Sequence, residues 1–385
     1  MFVIKASTIF NSRREKTIRV DIKNKKIKVW AAAPSGVSIG RFEAKNFPKG
    51  GVEESVRIIN SLSNKLREIK IVCFDDLKKI EDVLNKNLGN VEKIGANGIF
   101  ALESAILKAV AAQRKEELWQ IIGKKKKIPV PLANVIGGGK HSKEIAKPDF
   151  QEFLIRSNGN IEKMVEKNKE IYEKIGKELE KTPGFKKKKS DENAWIAGIN
   201  NERAIEIIKD CCRGEGKVKV GVDVAGSSLF DGKKYKYIFK NLSPKEQLEY
   251  ISELISKYKL FYVEDAFEER DSKNFEKLLK LNRFCLVCGD DLTATNVDRL
   301  KENIGKINCV IVKPNQIGSL IATYEFVKMA KEKKIKTVIS HRSGETMDNT
   351  IAHLGVGWNV DYIKTGVIGK EREAKLNELI RIEKN

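Results

Sequence analysis

The pattern of apolar and polar residues changes partway along this chain. Residues 17–22 and 26–30 alternate apolar and polar side chains, which predicts strands of a small antiparallel sheet with one exposed face. Helical periodicity follows at residues 52–69, 77–87 and 98–122, and the last of these segments carries a long apolar stripe. The amino-terminal part of the chain is therefore predicted to be a small mixed α+β unit.

A basic and proline-containing stretch separates this unit from the rest of the chain. Lysines fill residues 124–127, and Pro129 and Pro131 follow directly. Two prolines so close together block a helix and favour an extended connection. From residue 218 onward, short continuous apolar runs alternate with amphipathic segments. This alternation is typical of parallel strands that are buried on both faces and connected by helices, in either an open sheet or a closed barrel.

The positions of ionisable residues decide between these two folds. An open sheet gathers its ligands at one switch point, whereas a β/α barrel assembles its active site from the carboxyl ends of its strands. A barrel takes about 250 residues, which leaves about 135 for the preceding unit. The sequence has six successive predicted strands that each end in an ionisable residue: Asp223, Glu264, Asp290, Lys313, His341 and Lys364. We therefore predict an α/β protein with an α+β capping domain over residues 1–125 and a TIM-type β/α barrel over residues 126–385.

Three of these strand ends are carboxylates, and two are lysines. Asp223, Glu264 and Asp290 would repel one another if unpaired, and a hard divalent cation with oxygen ligands, above all Mg²⁺, relieves that repulsion. The alternative is that some of them pair with lysines in a structural ion network. Lys313 and Lys364, beside a second ammonium and a dication, are expected to have lowered pKa values and so to be able to act as bases.

Histidines and an arginine add candidate binding groups. The chain has only three histidines; His141 closes a glycine-rich segment, and His341 follows a predicted strand. Arg342 and Ser343 add a fork-shaped donor and a hydroxyl, a combination that suits a phosphate. His353 lies in a helical pattern and is predicted to pack in the core. Spacing alone predicts that four further polar residues lie on the surface: Gln151, Glu152, Asp191 and Glu192.

Composition limits the class of protein. With 385 residues, 41% of them hydrophobic, the chain can bury a core, so it is not expected to be disordered. No stretch approaches the ~18 consecutive apolar residues of a membrane span, and we expect a cytoplasmic protein. The net charge of +21 suits nucleic acid, an acidic membrane surface or a phosphorylated substrate without selecting one. Cys285 and Cys288 are expected to be buried and structural.

Nine short motifs follow one another along the chain. They are APSGVSIG at 33–40, PVPLAN at 129–134, QEF at 151–153, SDE at 190–192, VED at 263–265, GDDLT at 289–293, VKPNQIG at 312–318, SHRSGET at 340–346 and IKTG at 363–366. Together, and in this order, they resemble the enolase (phosphopyruvate hydratase) family over nearly the whole chain.

The resemblance implies a Mg²⁺-dependent lyase that interconverts 2-phosphoglycerate with phosphoenolpyruvate and water. It implies two magnesium ions per active site. The first is expected on Asp223, Glu264 and Asp290, and the second is expected to bind with the substrate and Ser38 on a glycine-rich loop. Lys313 is implied to be the base that removes the proton beside the substrate carboxylate. That proton is very weakly acidic, because its loss turns a carboxylate into a dianion, so the site needs cations to stabilise the extra charge.

The other implied roles concern proton donation and substrate contact. Glu192 is implied to be the general acid that protonates the departing 3-hydroxyl, supported by Glu152. Its pKa should then be raised by burial and by Glu152. The resemblance also implies that His141 is a catalytic residue, and that Lys364 is one because it helps to stabilise the extra negative charge. The residues implied to bind the substrate are Gln151, His341, Arg342, Ser343 and Lys364.

Several positions depart from the family pattern. Arg19 replaces an acid that reaches a carboxyl-terminal arginine across the family's dimer, and Arg381 holds the position of that arginine. Gly137, Asn193 and Met347 replace an asparagine, a glycine and an acid. Two alternatives therefore stay open: an enolase-like paralogue acting on a related phosphorylated or hydroxylated acid, and a non-catalytic relative that binds nucleic acid. We expect a homo-oligomer with a small phosphorylated acid as its partner and no membrane contact.

Overall fold

The computed structural model of the protein describes residues 2–36, 40–142, 144 and 146–385. Ser38, the residue implied to hold a second metal ion, lies outside the described residues. The rest of the predicted site residues lie within them.

The amino-terminal unit is a three-stranded antiparallel sheet covered by helices. Its strands are β1 (Val3–Phe10), β2 (Lys16–Lys23) and β3 (Lys28–Ala32), in the order β1-β2-β3. The pattern predicted β2 and β3 and missed β1. Buried side chains alternate with partly exposed ones along β2, so one face of the sheet packs on the helices. These helices are α1 (Gly51–Leu66), α2 (Leu77–Leu88), α3 (Ala96–Arg114) and α4 (Leu118–Ile122).

The single helix predicted over residues 98–122 is in fact two helices. Lys115 follows α3 with a φ of 56°, in the left-handed region, and the chain turns there before α4 begins. A left-handed residue is a common helix terminator because it redirects the chain while its N–H still bonds to the last turn. The apolar pattern continues across the turn because α3 is buried on nearly all sides and α4 also buries Leu118, Ile121 and Ile122.

Eight strands close a barrel in the order β10-β11-β12-β13-β4-β5-β6-β9. A small hairpin, β7 (Tyr235–Lys236) and β8 (Asn241–Leu242), lies outside it. The barrel strands are β4 (Val130–Gly137), β5 (Glu152–Arg156), β6 (Lys219–Asp223), β9 (Tyr262–Glu264), β10 (Leu286–Gly289), β11 (Cys309–Val312), β12 (Lys336–Ser340) and β13 (Tyr362–Lys364). The helices of this part are α5 (Ile161–Leu179), α6 (Asn201–Cys211), α7 (Gly226–Leu229), α8 (Pro244–Tyr258), α9 (Ser272–Leu281), α10 (Val297–Asn303), α11 (Leu320–Glu332), α12 (Thr350–Gly357) and α13 (Lys370–Lys384).

The strands predicted from residue 218 onward pair in parallel, from β6 through β9 to β13, as expected. The barrel also contains β5, which the sequence analysis did not predict. This strand runs antiparallel to both of its neighbours, β4 and β6. Its amino end therefore meets the carboxyl ends of the other strands, and Glu152 pairs directly with Asp223 across β5 and β6. The segment expected to be an extended connection forms the start of β4, where Pro131 pairs with Ile363.

Two apolar layers fill the barrel and its surroundings. Cys285 belongs to the layer between strands and helices, and Cys288 belongs to the barrel interior, so the two cysteines are both buried and lie in different layers. None of the helices in the described residues is both long and apolar enough to cross a bilayer. The fully enclosed interior side chains include Leu132, Leu154, Tyr262, Cys288, Cys309 and Ile311.

Candidate active site

A polar pocket of about 360 Å³ opens where the carboxyl ends of the parallel strands meet the amino end of β5. Five of the six predicted strand-end residues line it, and Glu264 lies beside them, in contact with Lys364. Nine carboxylates and six lysine or arginine side chains line the pocket. An excess of carboxyl groups over lysines and arginines is unexpected in a chain whose net charge is +21, and it suits a pocket that takes up cations.

Lys364 lies at the centre of one group of acids. Its Nζ is 3.0 Å from Asp223 Oδ2, 2.9 Å from Glu264 Oε2 and 3.2 Å from Glu152 Oε2. Only 3% of the lysine is exposed. Burial opposes its charge, but the carboxylates, led by Asp223, outweigh burial and raise the pKa of Lys364 well above its usual range. Lys364 is therefore a fixed positive charge inside the pocket.

Lys313 contacts the third predicted metal ligand, Asp290, through its Nζ. Burial favours the neutral amine, but the charge of Asp290 outweighs it and raises the pKa of Lys313. The expectation that both lysines have lowered pKa values is thus wrong for this structure, because each lysine faces carboxylates more closely than it faces another ammonium. The ion network that the sequence left open as an alternative is present.

The turn that carries Asp290 is held by a neighbouring acid. Asp265 accepts the backbone N–H of Asp290 through Oδ1 and that of Asp291 through Oδ2, each at 2.8 Å. Asp265 is 3% exposed. It belongs to the VED motif, but nothing in its spacing predicted that it would brace the next strand end.

A second group of acids includes two residues that spacing alone assigned to the surface. Glu152 and Glu192 are 2% and 3% exposed, so that expectation is wrong for both. For Glu152 it failed because β5, which places this residue at the rim, was not recognised. Nδ1 of His141 lies 3.6 Å from Glu152 Oε1 and 3.8 Å from Glu192 Oε1, and Nε2 of His341 lies 3.3 Å from Glu192 Oε2.

The proton of this acidic group belongs to Glu152 more than to Glu192. Burial and the charge of Glu192 raise the pKa of Glu152 well above its usual range. Burial also acts on Glu192, but the neighbouring imidazoles of His341 and His141 outweigh burial and lower its pKa. The expectation of a raised pKa at Glu192 is therefore wrong for the substrate-free site. Burial lowers the pKa of His341 to about 4, so its imidazole is uncharged at neutral pH. Protonation of Glu192 is then coupled mainly to that of Glu152, and the two carboxyls titrate as a pair.

Arg342 is held on the side of the pocket nearest the amino-terminal unit. Its Nη2 is 2.9 Å from Glu43 Oε2, and its Nη1 donates to Asn315 Oδ1 at 3.0 Å. The side chain of Arg372, 1% exposed, donates to the carbonyl oxygens of Arg342 and Ser343 at 2.7 Å each. The sequence analysis missed Glu43, Asn315 and Arg372. Asn315 belongs to the VKPNQIG motif, whereas Arg372 carries no sequence signal.

The three substituted positions near the site have different surroundings. Asn193, where the family has glycine, has a φ of 63°, a conformation that asparagine tolerates better than most residues. A Cβ at Gly137 would approach the Cβ of Ser190 to 2.9 Å, so a larger residue requires a shift there. Met347 is half exposed.

The two arginines at the position of the family's dimer contact each pair within the chain. Arg19 lies 2.6 Å from Asp21. Arg381 contacts Glu117 and Glu378, the latter at 2.8 Å. His353 is buried, as expected, and its Nε2 is 2.7 Å from Glu378, a contact that the helical pattern did not predict.

The residues present fit a bound divalent cation. Burial and the charge of Asp223 raise the pKa of Glu264 to about 8, so at neutral pH the lysines alone do not keep all of the carboxylates ionised. Asp223, Glu264 and Asp290 are all buried. They do not form a compact trio in the described residues. Two other groups at the pocket have candidate ligand atoms within 4.8 Å of one another: Asp265, Asp290 and Asp291, and His141, Glu152 and Glu192.

Fold and site together define a β/α-barrel enzyme of the acid–base type, with carboxylates and lysines at the strand ends. Residues 2–122 match the family model described as "Enolase, N-terminal domain", and residues 125–385 match "Enolase, C-terminal TIM barrel domain". The chain belongs to the enolase family, and its activity is that of a phosphopyruvate hydratase, a carbon–oxygen lyase.

Archaeal relatives match over nearly their whole length. The enolase of Methanosphaera stadtmanae is 40% identical over 99% of this chain and 96% of its own. The enolase of Methanothermobacter thermautotrophicus is 38% identical over 99% of this chain and 95% of its own. The enolase of Archaeoglobus fulgidus is 38% identical over 97% of this chain and 95% of its own. The similarity covers both the capping unit and the barrel.

Proposed function

We propose that this chain interconverts 2-phosphoglycerate with phosphoenolpyruvate and water, as a step of glycolysis and gluconeogenesis in the cytoplasm. The observation that carries the proposal is the meeting of Lys313, Lys364, Arg342 and the Glu152–Glu192 pair in one polar pocket. These groups supply what the reaction needs: a base, a fixed cation, a phosphate ligand and a proton donor.

Lys313 is the base in this proposal. It removes the proton at the carbon beside the substrate carboxylate, which requires a neutral amine. In the structure its ammonium is held by Asp290, so this contact has to be released before the amine can accept a proton. Bound Mg²⁺ on Asp223, Glu264 and Asp290 would supply Lewis-acid stabilisation of the dianionic carboxylate and would neutralise Asp290. Two ions per site are proposed, with Ser38 as a ligand of the second.

The Glu152–Glu192 pair delivers the proton to the departing hydroxyl. Two buried carboxyls beside each other retain one proton between them at neutral pH, because both cannot ionise at low cost. Glu192 is proposed as the group that faces the leaving oxygen, and Glu152 as the group from which the pair draws its proton. His141 is proposed to order the pair, since its Nδ1 lies within 4 Å of both carboxyls.

Substrate binding is assigned to the cationic and polar residues of the pocket. The fork of Arg342 suits the phosphate, with Ser343 beside it. Lys364 faces the substrate carboxylate as a fixed positive charge, and His341 and Gln151 complete the wall. The Gln151 amide nitrogen lies 3.3 Å from Asp223 Oδ2 and so also orients that carboxylate.

Two further proposals concern the whole chain. A boundary near residues 125 and 126 separates the capping domain from the barrel; its support is that α4 ends at Ile122 and β4 begins at Val130. The chain is proposed to form a homo-oligomer. That interface cannot use an ion pair between Arg19 and Arg381, because both carry the same charge and each is paired within its own chain.

The decisive experiment is a turnover assay. Purified protein is incubated with Mg²⁺ and 2-phosphoglycerate, and phosphoenolpyruvate is followed by ultraviolet absorbance, with a chelator-treated sample as control. Product that forms only with Mg²⁺ supports the proposal. Absence of product at saturating substrate rejects it, and favours the paralogue if Mg²⁺ still binds at the pocket.

A further inference from the structure

A second concave surface lies at the opposite end of the barrel from the active site. It is a groove of about 720 Å³, lined by residues 209, 212–213, 218–220, 255–256, 258–261 and 280–285, and is here called the basal groove. Lys219 begins β6 and Asp223 ends it, so the groove and the active site are separated by the length of a strand, about 13 Å. Nothing in the proposed reaction uses this surface.

The lining of the basal groove carries positive charge without negative charge. It contains six cationic side chains and no carboxylate. Lys219, Lys259 and Arg283 take part in no ion pair in the part of the chain that the structure describes, so their charges are available to a ligand. The six are Lys209, Arg213, Lys219, Lys259, Lys280 and Arg283.

Apolar side chains are exposed at the same groove. Phe284 is fully exposed and lies in the turn that connects α9 to β10, and Leu281, the last residue of α9, is 65% exposed. The floor between them and β6 is aliphatic and aromatic, with Leu260 and Phe261 almost wholly buried. Exposed large apolar side chains beside a groove are a common mark of an interaction surface.

We propose that the basal groove binds an acidic peptide segment of a partner protein, one that carries apolar side chains among its carboxylates. The carboxylates contact Lys219, Lys259 and Arg283, and an apolar side chain packs against Leu281 and Phe284. Charge complementarity and an apolar centre together give such a site both its attraction and its selectivity.

Other occupants fit the groove less well. A second copy of the chain carries +21 and would bring like charge to a cationic surface. A single strand of nucleic acid stacks its bases on exposed rings, but Phe284 is the only well-exposed ring in this lining; Tyr258 and Phe261 are 6% and 8% exposed. A bilayer is flat and does not enter a concave site. The adjoining groove carries charges of both signs, with Glu249 and Glu253 beside Lys245, Lys257 and Lys277, so the surface free of carboxylates is confined to the basal groove.

The test uses the full-length protein and defined probes. A fluorescein-labelled peptide of 12 residues that alternates glutamate with leucine is titrated by fluorescence anisotropy at low salt. The matched peptide has glutamine in place of glutamate. A labelled 12-mer of oligouridylate and vesicles rich in phosphatidylserine serve as the competing occupants.

Three variants separate a site from bulk charge. The groove variant is Lys219→Gln with Lys259→Gln and Arg283→Gln, and the apolar variant is Leu281→Ser with Phe284→Ser. The matched control is Lys23→Gln with Lys25→Gln and Lys26→Gln, three exposed lysines of the amino-terminal sheet and turn that take part in no ion pair among the described residues. It removes the same charge from a remote surface. Turnover of 2-phosphoglycerate is expected to be unchanged in all three, so a failure here is distinct from a failure of the proposed function.

The acidic peptide is expected to bind the wild type with a Kd in the micromolar range, and the groove and apolar variants at least tenfold more weakly. The control should stay within twofold. Equal weakening of the groove variant and the control overturns the proposal, because the attraction is then bulk charge alone. Tighter groove-dependent binding of oligouridylate or vesicles, or no binding of the peptide at 1 mM, also overturns it.

Discussion

The phenol of Tyr262 donates a hydrogen bond of 2.6 Å to Oε2 of Glu264, and both side chains are fully buried inside the barrel. Glu264 also accepts from Lys364. The carboxylate proposed as a metal ligand is thus held by a neutral donor and by a cation. Groups that orient a ligand in this way usually contribute to metal affinity as much as to structure.

Tyr262→Phe should weaken Mg²⁺ binding by about tenfold, since loss of an orienting partner typically costs that much affinity. The measurement is calorimetric titration of the protein with Mg²⁺ in the absence of substrate. Tyr258→Phe is the matched control, because Tyr258 also donates to a carboxylate, Glu206 at 2.9 Å, away from the pocket. Equal Mg²⁺ affinity in Tyr262→Phe and wild type contradicts this role.

Lys313→Ala should abolish turnover, with a loss of about 10²–10⁴-fold, the range of a lost acid–base catalyst. The variant should also fail to exchange the proton at carbon 2 of 2-phosphoglycerate with solvent, which reports on the base independently of water loss. Lys336→Ala is the control, because Lys336 is an exposed lysine of β12 paired with Asp361 at 3.0 Å. An active Lys313→Ala protein refutes the choice of base.

Most of the barrel could be predicted from the sequence because its buried strands are continuous apolar runs that end in charged residues. β5 was the exception. It is a five-residue strand with reversed direction, and an isolated short apolar run carries no signal of direction. Because β5 was not predicted, Glu152 was assigned to the surface. Glu152 is in fact the first residue of this reversed strand and so lies at the active-site rim.

The charges of the site were harder to predict than its members. The sequence placed Lys313 and Asp290 at neighbouring strand ends, but the pKa of each depends on which partner is nearest, and that is set by tertiary packing. The pKa of Glu192 could not be predicted for the same reason, because its two histidine neighbours come from segments about 50 and 150 residues away in the sequence. Arg372 was missed because its hydrogen bonds go to backbone carbonyl oxygens, those of Asp191, Arg342 and Ser343.

Arg342→Gln should raise the KM for 2-phosphoglycerate more than it lowers kcat, because a phosphate ligand contributes mostly to binding. The single variant also leaves the Glu43 side chain, 2% exposed, without its cation, which should cost about 3–5 kcal/mol of stability. Adding Glu43→Gln should restore much of that stability without restoring the KM. Steady-state kinetics and urea unfolding of both variants check this. A normal KM in the double variant contradicts the phosphate role.

The last prediction concerns Glu103, a carboxyl on α3 outside the active site. It is 0% exposed, its Oε2 accepts the N–H of Leu320 at 2.7 Å, and its Oε1 has no hydrogen-bond partner within the described ranges. Burial, helped by the charge of Glu81, raises the pKa of Glu103 well above its ordinary 4.5. The folded protein therefore holds this proton to a higher pH than the unfolded chain does.

Between pH 4.5 and the raised pKa of Glu103, the folded state binds more protons than the unfolded state, so raising the pH lowers the free energy of unfolding. Below pH 4.5 the group is protonated in both states and adds no pH dependence. Glu103→Gln removes this loss, so the variant should gain stability relative to wild type as the pH rises from 4.5 toward 9. Urea unfolding across that range, with the exposed Glu68→Gln as control, measures the difference. A constant difference between Glu103→Gln and wild type at every pH would show that Glu103 keeps an ordinary pKa in the folded protein.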